Sequence, residues 1–194
     1  MKNDLLLTIA LQYCKIFCVM IIVSFAFMTG FVVMWHLDPN TFSMHLMFNI
    51  LQAYISETAF GFTITDTWLT PDRLDEVPFA GSNINRPSLY FTYLQLVALM
   101  TFTFFLHKEA IDIMASVKSR QSFRIENYRS FRKIGKHFFY IFCLSTFCFI
   151  SSDFGNHYGF YIHLTPLMMM IGAYIMAEIF KEGNVLQEEV QSTV

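Results

Sequence analysis

Charged side chains are scarce in this sequence: they make up 14% of its 194 residues, against 55% apolar residues. A chain so poor in charge is too apolar for an ordinary soluble domain. The scarcity is also uneven. No Asp, Glu, Lys or Arg falls within 16–35, 89–106, 138–152 or 159–177. Ion- or proton-coupled transport depends on ionisable groups facing a bundle interior, so their absence argues against that class and leaves only a small neutral substrate open. His163 is the one imidazole in these runs, near an end, and Gln95 reads as an interhelical hydrogen bond.

Other absences narrow the field further. The four cysteines, Cys14, Cys18, Cys143 and Cys148, form no C-x-x-C and stand at no finger-like spacing from a histidine. Neither a disulfide framework nor a zinc finger is expected, and the thiols read as small apolar side chains. There is no G-x-S-x-G and no glycine-rich phosphate loop. Asp153-Phe154-Gly155 spells a kinase triplet, but no H-R-D segment accompanies it. Ser192-Thr193-Val194 is too short to mark a carboxylate-capture peptide. No small-x-small cleavage site follows the first apolar run, which therefore reads as a retained helix.

What is present is a set of apolar runs at the length of a bilayer. A helix rises about 1.5 Å per residue, so the twenty residues of 16–35 match the hydrocarbon thickness. The same reasoning predicts an all-α membrane protein with four transmembrane helices at 16–35, 89–106, 137–152 and 159–177. The third borrows length from the basic segment before it, whose Lys and Arg heads can snorkel. Pro166 predicts a kink in the fourth.

A long insert, 36–88, separates the first two helices. Over 44–62, His45, Asn49, Gln52 and Ser56 share one side, with Leu46, Met47, Ile50, Leu51 and Tyr54 opposite. That pattern predicts an interfacial helix rather than a span, since Glu57 in mid-bilayer costs about 2.5 kcal/mol or more. Phe60, Phe62 and Ile64 alternate with Thr63 and Thr65, as in a short strand, and Pro71, Pro78, Gly81 and Pro87 mark loop.

Eight of the thirteen Lys and Arg residues lie in the loop 107–136, and only Arg73 and Arg86 in the insert. The positive-inside rule makes the basic loop cytoplasmic, the insert extracytoplasmic, and both the N-terminus and the tail 178–194 cytoplasmic. The loop carries a net charge of +5, eight basic residues against Glu109, Asp112 and Glu126. That charge serves anionic lipid, at about 1 kcal/mol per basic residue, or a cytoplasmic partner. Direct nucleic-acid binding is not expected, because the lipid surface competes for the same charges. At the outer face, His36, His157 and His163 with Asp38 and Asp153 are the one group of metal-ligating types. No pair has the i, i+4 spacing of a hydrolase motif, and no metal or cofactor is expected.

Two stretches resemble a family of small bacterial membrane proteins known only as a domain of unknown function (number twenty-nine seventy-five). In Gln121 to Gly135, Phe123, Asn127, Lys133, Ile134 and Gly135 stand where that family has its motif before the third span. In the closing stretch Glu178, Phe180, Gly183, Leu186, Gln187, Glu188, Thr193 and Val194 match its end. The family usually has Ser or Thr then Pro after the Phe, where this chain has Arg124-Ile125, and Gln191 replaces an acidic residue. The resemblance implies a bacterial cytoplasmic-membrane protein partnered with a small helix-turn-helix regulator. Within these stretches Phe123, Asn127, Phe131, Gly135, Glu178, Phe180 and Leu186 are the candidate partner-docking residues, or else they seat two helices at the lipid interface. The expected function is thus a non-enzymatic membrane regulator sensing through its outer insert. The alternatives are an immunity or envelope-stress protein binding a toxin or lipid outside, and an outer-face metalloenzyme.

Overall fold

The structure is a computed structural model that describes residues 2–38, 59–67, 83–119 and 123–193. In chain order these form α1 (Lys2–Leu37), β1 (Ala59–Thr67), α2 (Arg86–Lys118), α3 (Ile125–Ser145), β2 (Phe147–Ser152), β3 (Gly155–His163) and α4 (Leu164–Thr193). Three helical segments, Leu5–Leu37, Arg86–Lys118 and Leu164–Val190, are long and apolar enough to cross a membrane. Around α1, Leu6, Ile9, Val19, Val23 and Phe27 are all more than half exposed, which suits hydrocarbon and not water. The chain is a membrane protein.

The expected layout needs several corrections. The segment 137–152 is not one helix: α3 ends at Ser145 and β2 begins at Phe147. A fourth span is therefore not shown among the described residues. The local cause is legible in the hydrogen bonds. Ser145 and Thr146 hydroxyls both donate to the Phe142 carbonyl, at 3.0 and 2.7 Å, diverting an acceptor from the helical ladder. The segment 159–177 likewise opens as strand, with α4 starting only at Leu164. Pro166 then sits in the first helical turn, where its missing N–H leaves no carbonyl without a donor, so it has no kink to cause. The basic segment 107–136 is mostly helix: α2 continues to Lys118, and α3 starts at Ile125. The strand expected around Phe60–Thr65 is present as β1, and it takes residues 59–62 from the expected interfacial helix, whose remainder lies outside the described residues.

The chain divides into two compact units. The first comprises Met1–Val23, Met100–Ile141 and Thr165–Val194. Its core joins Ile113 of α2, Ile134 of α3 and Ala173 of α4, with Leu106, Val117, Phe131 and Phe138 packed around them. The second comprises Ser24–Leu99 and Phe142–Leu164. There Phe31, Val32 and Trp35 of α1 bury themselves against Leu89 of α2. Its sheet has the order β1-β3-β2, antiparallel throughout. Asp153 and Phe154, between the paired Ser152 and Gly155, are the two-residue turn of the β2–β3 hairpin, the structural role of the kinase-like triplet.

Candidate functional site

In the second unit, the strand period of two sorts the sheet into two faces. Cys148 and Ile150 are buried on one face, packed with Ile84 and Tyr161. Thr65, His157 and His163 share this face by register. The other face carries Phe60, Phe62 and Ile64 of β1, exposed at 70, 63 and 59%. Opposite them on β3 stand Ile162, Phe160 and Tyr158, and Phe147 and Phe149 of β2 face Phe160 and Tyr158 in turn. Rings meet across the strands, Phe62 with Phe160 at 5.8 Å and Phe149 with Tyr158 at 5.1 Å. The ring contacts continue onto α2, where Phe91 lies 6.1 Å from Phe147 and 6.3 Å from Phe149.

The helix-to-strand junction is held by one side chain. Gln95, 7% exposed, donates through Nε2 to the carbonyls of Leu144 and Phe147 at 2.5 and 2.7 Å. The Tyr161 N–H donates to Thr146 O at 2.6 Å. The last carbonyls of α3, which a helix end leaves without intrahelical donors, are thus satisfied at the turn into β2. The expected interhelical role of Gln95 is met in this form.

Among the described residues, His36, His157 and His163 are not gathered into a metal-binding group. His36 Nδ1 pairs with the Tyr90 hydroxyl at 3.1 Å, and His157 Nδ1 with the Thr65 hydroxyl at 2.9 Å. Burial pushes the His157 imidazole below its usual pKa, favouring the neutral form. His157 and His163 lie on one strand six residues apart, about 20 Å at 3.3 Å per residue, and cannot share an ion. Among the described residues no group of three His, Cys, Asp or Glu could hold a metal.

In the first unit, α2 and α3 run antiparallel. Asn127 Nδ2 donates to Ser116 Oγ at 3.0 Å, Lys133 pairs with Glu109 at 2.8 Å, and Phe102 meets Tyr140 at 4.9 Å. Most residues singled out by the resemblance are engaged within the chain. Phe180 of α4 lies between Phe123 and Phe131, at 5.6 and 4.8 Å. Gly135 backs onto the Tyr174 ring, where a Cβ would come within 3.0 Å. Gly183 lets the Phe123 ring lie flush on α4, and a Cβ there would collide with it. Asn127 is only 3% exposed. Glu178 and Leu186 are different: both are exposed, and Glu178 forms a surface pair with Lys181 at 3.3 Å. The exposed side of α3 carries Arg129, Arg132, Lys133 and Lys136, a basic stripe at helical spacing.

Sequence reasoning did not identify Ser116, Tyr174 or Glu109 as seam partners, since nothing in local pattern names a tertiary neighbour. It also missed the aromatic sheet face, although the alternation of Tyr158, Phe160 and Ile162 with His157, Gly159 and Tyr161 is a period-two signal. No family model, curated protein or solved structure matches the chain. The family resemblance is carried by its two short motifs alone.

Proposed function

We propose that this chain is a non-enzymatic regulator of the bacterial cytoplasmic membrane, with its sheet outside and both termini and the basic α2–α3 connection inside. A cytoplasmic helix-turn-helix protein is the partner that the family resemblance implies. The observation that carries this reading is the connection of the insert to α4. β1, the described strand of the insert, pairs with β3 over nine residues, and α4 begins at the very next residue after β3. A ligand that favours one state of the insert acts on α4 by its differential affinity for the two states. The C-terminal half of α4 in turn packs Phe180 and Gly183 against the start of the basic helix α3. With both termini inside, 137–152, the charge-free end of α3 together with β2, is taken as a fourth pass.

The seam itself is internal, so Asn127→Ala is a stability variant. The docking surface is assigned to the exposed Glu178 and Leu186 and to the basic stripe of α3. Leu186→Ala combined with Glu178→Lys is expected to leave membrane abundance at wild-type level. It should shift transcription from the neighbouring regulator's target promoter to the level seen when this chain is deleted. A promoter that ignores deletion of the chain removes the regulator reading. A promoter that responds to deletion but not to the double variant removes the docking surface.

A further inference from the structure

We infer that the three-stranded sheet is a membrane-seated element whose aromatic face lies in the headgroup–acyl boundary of a phospholipid leaflet. This goes beyond the regulator reading, because it holds whether or not the chain has a cytoplasmic partner.

Asn85, just before α2, and Ser88 in its first turn hydrogen-bond Ser151; further along α2, Phe91 touches Phe147 and Phe149, and Gln95 bonds the Phe147 carbonyl. β2 therefore runs beside the first turns of a helix that is itself apolar enough to cross a membrane. Phe91 and Gln95 lie five and nine residues in from Arg86, about 8 and 14 Å at 1.5 Å per residue, so from Ser151 to Phe147 β2 runs from the level of a basic residue that can mark the phosphates into the upper acyl region.

Phe91 is 37% exposed on that spanning helix, and its ring contacts pass to Phe149 and on to Tyr158. The sheet face is thus continuous with the surface of a helix that is apolar enough to cross a membrane. Phe60, Phe62, Phe147 and Phe160 on it are exposed at 42% or more, and no Lys, Arg, Asp or Glu stands among them short of Asp66 near the end of β1. Aromatic side chains are enriched at this level of a bilayer, where an apolar ring and a polar tip such as the Tyr158 hydroxyl are both accommodated. The sheet belongs at the boundary rather than deeper, because an open strand edge needs water or headgroups for its outward N–H and C=O groups.

The full-length protein reconstituted in phosphatidylcholine vesicles provides the test. One vesicle set carries acyl chains brominated near the carbonyl end, and the other does not. Phe62→Trp and Phe160→Trp place a reporter on the aromatic face in two different strands, and Thr63→Trp places one on the opposite face of β1. Taking emission as the difference from the parent protein, brominated lipid is expected to lower the signal about two-fold for the first two, with aqueous iodide having little effect on them. Thr63→Trp is expected to answer to iodide and not to bromine. Iodide quenching at position 62 and position 160 would place the face in water. Insensitivity to both quenchers would place it against protein, a second copy or another part of this chain. Equal bromine quenching on both faces would remove the one-sided seating. Each of these three results overturns the inference.

Discussion

Gly61→Ala is expected to separate β1 from β3. At Gly61 the strands approach so closely that a Cβ would run into the Phe160 carbonyl oxygen, with the Tyr161 Cα 2.9 Å away. Both neighbours are backbone, so no side-chain rotation relieves the contact and the strand itself must move. Overpacking of this kind costs about 1–3 kcal/mol, and β1 has little to offset it, since every one of its residues from Phe60 to Thr67 is exposed. Hydrogen exchange reads the outcome directly. Amides of 59–67 should lose protection by about ten-fold or more in Gly61→Ala, at 1.4 kcal/mol per factor of ten, and keep it in Thr63→Ala. Equal protection in the two variants would mean that the close approach is not real. The same variant bears on function, because the proposed coupling passes through the β1–β3 register: it should uncouple the insert while leaving α4 and the basic hairpin folded.

Gln95→Leu is expected to be the most destabilising change inside the apolar runs. The substitution keeps the bulk of the side chain and removes both donors from the carbonyls of Leu144 and Phe147. A buried acceptor left unsatisfied costs about 1–3 kcal/mol, and two of them at a site with little access to water cost about twice that. In a protein of this size each kcal/mol lowers the melting temperature by about 2–4 °C, so a fall of roughly 5 °C or more should be seen in detergent. Leu94→Ala, one position away and 66% exposed, is the control and should melt with the wild type. If Gln95→Leu also melts with the wild type, the junction does not depend on this side chain.

The parts of the fold that could be read from sequence are those set by composition alone. The charge-free runs of α1 and α2 are legible as helices long and apolar enough to cross a membrane because length and composition alone set that property. β1 was legible because Phe60, Phe62 and Ile64 alternate with small or hydroxylated residues. The β2–β3 hairpin was not found because absence of charge cannot tell a helix from a pair of strands. The decisive signals were weaker: Ser145-Thr146 ending the helix, and small or polar residues at 155, 157 and 159 alternating with Tyr158 and Phe160. The density of charge in 107–136 suggests a loop, although Arg129, Arg132, Lys133 and Lys136 recur at helical spacing. In the seam, Phe123, Phe131 and Phe180 were singled out together, but their mutual contact could not be read, because aromatic packing across α3 and α4 is a tertiary fact.

In the proposed topology the sheet lies on one side of the membrane and the basic hairpin with both termini on the other. Sandwich fusions of a fluorescent protein and of a periplasmic phosphatase, at Ser82, at Ser119 and at the C-terminus, test it most directly. The account predicts phosphatase activity at Ser82 only, and fluorescence at Ser119 and the C-terminus. Phosphatase activity at Ser119 would reverse the orientation. A C-terminus on the opposite side from Ser119 would mean that α3 and β2 do not make a pass, and the four-pass account would be wrong.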